Sequence, residues 1–292
     1  MCPSRGVNRP QVVCRDGTIA PEASFGENEF MDHRQAARCW ESNALAWTLL
    51  SRQGWDVYRD QVNTPAFLDL LPDVTGKTGL DVGCGEGHNT RLLAQRGARM
   101  FGIDVAPTFV RFAVDTEKKG RHGIRYAVAS ALELPFAPQR FDFATAVMSL
   151  MDLPDHSQAL KEIHRVLRAG AFLQFSITHP CFFPPHRRLL RTPEGKAYAV
   201  EIGGYFERID GKIDRWLFSA APVEAKVGLR PFEVPVFHRT LAEWLNAIVE
   251  AGFALEQVVE PRADEATARC VPAVDDTRVV AYFLYVRCRR PS

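Results

Sequence analysis

The run Asp81-Val-Gly-Cys-Gly-Glu-Gly87 sets an acid before three alternating glycines. Glycines at 83, 85 and 87 let the backbone turn sharply and let a ligand lie against it with no Cβ in the way. Asn89 and Thr90 then open a helical pattern whose first N–H groups can meet a polar ligand. About twenty residues after the glycines, Asp104 ends an apolar run, where a carboxylate can accept both hydroxyls of a ribose. Acid, glycine loop, helix, strand and second acid together make a nucleoside seat. A dinucleotide loop needs the spacing G-x-G-x-x-G, with the third glycine packing helix on strand; this chain has His88 there, so a nicotinamide nucleotide is not expected.

A second cluster, Thr178-His179-Pro180-Cys181-Phe182, comes after an apolar strand. His179 is either a general base for an attacking hydroxyl or amine, or a structural histidine that anchors the segment after it. Cys181 and Cys84 read as packed thiols. Further along, Phe182, Phe183, Tyr205, Phe206, Trp216, Phe218 and Phe237 offer aromatic walls, with Glu207, Arg208, Arg215 and His238 as polar groups. Such a mixture suits a pocket for a planar, partly apolar small molecule, with Phe182, Tyr205 and His238 as substrate contacts.

The elements that must position these groups can be read from apolar periodicity. Helices are predicted over 34–50 and 57–71, then alternating strands and helices: strand 79–82, helix 90–96, strand 99–103, helix 109–117, strands 125–129 and 141–148, helix 157–167 with Gly170 as its stop, and strand 172–178. A stretch of about sixty residues, 180–237, breaks the rhythm with a Phe182-Phe183-Pro184-Pro185 run, a basic patch (His186, Arg187, Arg188, Arg191) and hairpin-like pieces around Gly203–Gly211. The pattern resumes with a capping box at Thr240 and Glu243, a helix over 241–251, and strands at 254–259 and 279–286. This is an α/β fold with a parallel sheet covered on both faces.

Length and composition agree. At 292 residues and 46% hydrophobic the chain can bury a full core, and 36 basic against 35 acidic side chains argue against a long nucleic acid grip. No run is long and apolar enough to span a membrane, the start lacks the apolar core of a secretory signal, and seven scattered cysteines make no disulfide framework. The expectation is a reduced, cytoplasmic protein. No His/Cys/Asp cluster has metal-ligand spacing.

The acid before G-x-G-x-G resembles motif I of the class I S-adenosylmethionine-dependent methyltransferases. The likeness runs from about Gly79 to Thr178. GIDVAP (102–107) resembles the segment that carries the ribose-binding acid, here Asp104, VASALELPF (128–136) the adenine cradle of the small-molecule branch, and RFDFATAVMSLMDLPD (140–155) the fourth strand and its loop. LKEIHRVLRAGAFLQFSI (160–177) is similar to the next helix and the fifth strand. The family usually has Asp where this chain has Ser130, so adenine recognition would fall to that hydroxyl or to backbone groups at Ala131 and Leu132.

The resemblance implies a seven-stranded, mostly parallel sheet with helices on both faces. Around it come a flexible arm (1–33), a helical cover (34–72) and a substrate lid (180–238) inserted after the fifth strand, within a domain spanning 34–292. It implies S-adenosylmethionine as cofactor, S-adenosylhomocysteine as product, and methyl transfer to an oxygen or nitrogen of a small molecule. Asp81, Gly83, Cys84, Gly85, Asp104, Val105, Ser130, Ala131, Leu132, Met148, Tyr58 and Asn63 would hold the cofactor, with Arg59 and His88 near its amino acid end. His179 and Asp152 would contact the acceptor or remove its proton. Two alternatives are a nucleic acid methyltransferase using the 186–191 patch, and a protein that uses S-adenosylmethionine on this fold for another purpose.

Overall fold

The structure, a computed structural model, describes residues 30–292. The arm expected over 1–33 thus lies outside the described residues as far as position 29. Asp32 starts the first helix, α1 (His33–Arg52): its carboxylate accepts the Gln35 N–H while the Gln35 side chain accepts the Asp32 N–H. The helix predicted over 57–71 is interrupted. A π-helical turn (Arg59–Asn63) precedes α2 (Thr64–Leu70), whose Pro65 has no N–H to continue a regular ladder.

Next come β1 (Thr78–Val82), α3 (His88–Gln95), β2 (Arg99–Asp104), α4 (Pro107–Gly120), β3 (Arg125–Val128), β4 (Phe141–Val147), a 3-10 turn (Leu150–Asp152) and α5 (His156–Val166). Gly170 does not stop α5, as the sequence suggested. β5 (Leu167–Thr178) starts at once, because Leu167 pairs with Phe141 before the register jumps to Phe143 and Phe172. Gly170 sits in that irregular stretch at a φ of 73° and donates its N–H to the Arg290 carbonyl.

The insertion holds two hairpins, β6 (His186–Arg191) with β7 (Ala197–Gly203), and β8 (Ile209–Trp216) with β9 (Phe232–His238). A short α6 (Val223–Lys226) lies within the second. The Gly203–Gly211 segment joins the hairpins instead of forming one. Then come α7 (Leu241–Glu250), opened by the Thr240–Glu243 capping box, β10 (Ala254–Val259), α8 (Glu265–Cys270), a 3-10 turn (Pro272–Arg278) and β11 (Phe283–Arg289). The last strand begins four residues later than 279, because the preceding turn runs on through Arg278.

Seven strands make one sheet in the order β10-β11-β5-β4-β1-β2-β3. Only β11 runs against the rest, pairing antiparallel with both neighbours. Chain order reverses between β4 and β1, and ligands of open α/β sheets bind beyond the carboxyl ends of the strands at such a switch point. The strands are buried on both faces: Leu80, Phe141, Phe143, Leu173 and Phe175 are all fully enclosed. Phe143 stacks on Phe172 at 5.5 Å, and a Cβ at Gly79 would lie 2.2 Å from the Phe143 ring, so only glycine admits that ring. Each such aromatic contributes about 1.5–3 kcal/mol by leaving water.

α1 is fastened to three parts of the domain. The buried Asn43 amide exchanges hydrogen bonds with the Glu233 backbone of β9, at 2.9 and 2.8 Å. Glu41 accepts from the Thr108 N–H and hydroxyl at the start of α4. Arg52 pairs with Glu86 of the glycine loop at 2.7 Å.

Candidate active site

The carboxyl ends of β1 and β2 meet through the glycine loop. The Gly85 N–H donates to Asp104 Oδ2 at 2.8 Å, and the Ala106 N–H donates to Oδ1 at 2.9 Å. Each oxygen keeps a free lone-pair direction for a ligand hydroxyl. Burial pushes the Asp104 carboxyl up to about 6. Asp81 is spent differently: Oδ2 accepts from the Thr90 hydroxyl at 2.6 Å and Oδ1 from Thr145 at 2.9 Å. It ties α3 and β4 to the loop, and burial raises it too to about 6.

The glycines differ in purpose. A Cβ on Gly83, at φ 71°, would strike the Ser149 Cβ at 2.4 Å, whereas a Cβ on Gly85, at φ 55°, would meet nothing within 4 Å. Gly83 is required by the protein, while Gly85 faces open space. Cys84 is buried, and burial raises its thiol well above the usual range, which fits a packed side chain.

One cavity of about 650 Å³ runs over this loop and is lined by nearly every residue expected to hold a nucleoside, Val105, Ser130, Ala131, Leu132 and Met148 among them. Ser130 Oγ accepts the Leu132 N–H at 3.2 Å and the Leu132 carbonyl accepts from Gln158, so the Leu132 backbone is already engaged. Met148 holds a φ of 54°, rare for a side chain of this kind, fixed by its N–H on Ser176. Backbone strain of this sort gathers at functional sites.

At the other end of the loop the π-helical turn presents Tyr58, Arg59 and Asn63 to the same cavity, beside His88. The Tyr58 hydroxyl is taken by Asp276 and the Ala273 carbonyl, leaving its ring as wall. Asn63 is 1% exposed, and its Oδ1 has no partner among the described residues. Burial, then the Arg59 charge, lowers His88 to about 4, so it is neutral. Asp56, which the sequence reading missed, lines this end and is raised by burial to about 6. No periodicity or motif marked it.

The cavity continues into an aromatic chamber between α1 and the β8–β9 hairpin, lined by Trp40, Trp47, Trp216, Phe218 and Phe237. Trp47 packs edge-on against Trp216 and Phe218 at 5.5 and 5.0 Å. The sequence alone does not mark Trp40 and Trp47 as cavity walls, since helical spacing cannot separate a core face from a face that walls a cavity.

Three expected acceptor contacts are not on the cavity. His179 is 2% exposed: its Nδ1 accepts the Cys181 N–H at 3.2 Å, and its Nε2 stands 2.7 Å from Glu260 Oε1, so both ring nitrogens are engaged. Phe182 lies against the His179 ring at 4.7 Å. The Tyr205 hydroxyl accepts the Leu241 N–H at the start of α7, at 2.9 Å. All three secure the insertion to the domain.

Asp152 and His238 do line the cavity. Burial alone acts on Asp152 and raises its carboxyl well above the usual range, which favours the neutral acid. In the basic patch Arg188 pairs with Glu201, His186 faces Glu207, and Arg187 lies 4.2 Å over the Phe183 ring.

A family described as a methyltransferase domain matches residues 80–175. A solved S-adenosylmethionine-dependent methyltransferase from Mesorhizobium loti superposes with a TM-score of 0.63 at 26% identity, covering 77% of this chain and 96% of that one. A demethylmenaquinone methyltransferase of Thermobifida fusca is 31% identical over 145 residues, 49% of this chain and 60% of the relative. The 2-methyl-6-phytyl-1,4-hydroquinone methyltransferase of Synechocystis is 31% identical over 192 residues, 62% of this chain and 55% of the relative. The chain thus spans a little over half the length of these two relatives. Motif, sheet order and likeness agree: residues 80–175 match a methyltransferase domain, and the sheet is that of the class I S-adenosylmethionine-dependent methyltransferases.

Proposed function

We propose that the chain transfers a methyl group from S-adenosylmethionine to an oxygen or nitrogen of a small, planar, largely apolar molecule. The observation that carries this reading is the continuity of one cavity, about 650 Å³, from the glycine loop to the aromatic chamber. The two named relatives act, by their names, on quinone-type rings, which such a chamber would suit.

Two features of the chain fit the cofactor. Open space beyond Gly85 gives a nucleoside room to lie on bare backbone, and the unpartnered Asn63 Oδ1 is a ready acceptor for an ammonium group. Asp104 would hold the ribose hydroxyls, Ser130, Ala131 and Met148 the adenine side, and Arg59 and Asn63 the amino acid end. When bound, the sulfonium supplies an already activated methyl group. The protein then has to align the acceptor and exclude water. α1 and the hairpins of the insertion would close the chamber, and Asp152, whose burial favours the neutral acid, would hydrogen-bond the acceptor. His179 serves as the anchor of the insertion.

The five cysteines among the described residues are free, and no helix there is long and apolar enough to cross a membrane. We place the enzyme in the reducing cytoplasm on the thiols. Incubation with S-adenosylmethionine and a metabolite extract should yield S-adenosylhomocysteine and one small molecule heavier by a methyl group. Methyl incorporation into RNA alone would overturn the acceptor class.

A further inference from the structure

We propose that His238 is the general base of the reaction, and that the acceptor atom is the oxygen of an acidic hydroxyl, phenolic or enolic, on a planar ring. This rests on the methyltransferase reading above and narrows it.

His238 closes β9 and is 7% exposed, yet it lines the cavity. Its Nε2 lies 2.8 Å from the Tyr205 carbonyl oxygen. A carbonyl can only accept, so Nε2 carries the proton and Nδ1 is the basic nitrogen. Among the described residues Nδ1 has no hydrogen-bond partner. His179 is the contrasting case, with one nitrogen receiving a backbone N–H and the other facing Glu260. A fixed tautomer with one free lone pair is what proton abstraction requires.

Two charged or acidic neighbours on the cavity are committed otherwise. Arg239, next in the chain, is committed to Asp210 of β8 and to the carbonyls of Ile209 and His238. Asp152, on the same cavity, is pushed by burial toward the neutral acid. In the step, the acceptor O–H bond breaks and its proton passes to Nδ1. The oxygen electron pair forms the new O–CH3 bond, and the S–CH3 bond breaks with its pair left on sulfur. The positive charge moves from sulfonium to imidazolium. A neutral imidazole matches hydroxyls that ionise near neutrality, which are those on aromatic or enolic carbon, and the Trp47 and Trp216 walls admit flat rings.

The test uses the full chain saturated with S-adenosylhomocysteine and 4-nitrophenol as probe, whose ionised form is coloured. Wild-type protein should bind the probe and lower its apparent pKa by about one unit or more, as expected for a phenolate beside an imidazolium. His238→Gln keeps a donor for the Tyr205 carbonyl but no basic nitrogen; it should hold S-adenosylhomocysteine as wild type does and leave the probe's ionisation unmoved. Long-range proton–nitrogen NMR, with His238→Gln as the assignment control, should show the Nε2–H tautomer. Overturning results are an Nδ1–H tautomer, a wild-type protein that holds S-adenosylhomocysteine without moving the probe's ionisation, or a glutamine variant that moves it equally. Failure to hold S-adenosylhomocysteine at all would count against the family reading instead.

Discussion

His179 Nε2 sits 2.7 Å from Glu260 Oε1, joining the end of β5 to the segment just past β10. The Cys181 N–H on Nδ1 fixes the ring from the other side. Removing the ring leaves a backbone donor without its partner, a cost of about 1–3 kcal/mol. We expect His179→Ala to lose stability of that order in urea denaturation and to keep its affinity for S-adenosylhomocysteine within about twofold. An intact midpoint with abolished turnover would return His179 to catalysis.

The two neighbouring glycines predict opposite losses. Gly83→Ala drives a Cβ into Ser149 and should lower the melting temperature. Gly85→Ala meets no protein atom, so only the positive φ costs stability, about 1 kcal/mol. Its methyl group projects where a nucleoside would lie, and affinity for S-adenosylhomocysteine should fall at least tenfold. Calorimetry beside thermal melts of both variants separates the two effects; equal affinity for Gly85→Ala and wild type would remove the loop from the binding site.

Arg52 is the tie between α1 and the glycine loop. Its partner Glu86 is 5% exposed and shared with Arg91. Arg52→Ala leaves the carboxylate with one guanidinium and frees the end of α1, so amide hydrogen exchange should quicken in residues 45–52 while β1 and β4 stay protected. Uniform exchange across the domain would show that the pair does not hold the helix.

The sheet was readable because buried parallel strands leave apolar runs and turns between strands and helices carry glycines, as at 83, 85 and 97. The nucleoside end was readable for the same reason, since its contacts are largely backbone and one carboxylate. The acceptor end was not. Trp40 and Trp47 have the spacing of any core face, and whether a cavity lies beside them depends on where β8 and β9 dock. His179 has both ring nitrogens engaged and His238 only one, a matter of contacts made 81 and 33 residues away. Asp56 carries no local mark at all, since its character comes from burial.

The central claim is that Asp104 and the glycine loop seat S-adenosylmethionine, and titration calorimetry with S-adenosylhomocysteine tests it most directly. Burial holds the empty Asp104 at about 6, and ribose hydroxyls favour its ionised form. Binding therefore expels a proton, and affinity should be full above pH 7 and fall as pH drops through about 6. Asp104→Asn should weaken binding by about 1–3 kcal/mol, roughly 5- to 150-fold, with circular dichroism unchanged, and NAD should give no heat with either protein. No binding of S-adenosylhomocysteine by wild type, or equal affinity in the variant across that pH range, would contradict the account.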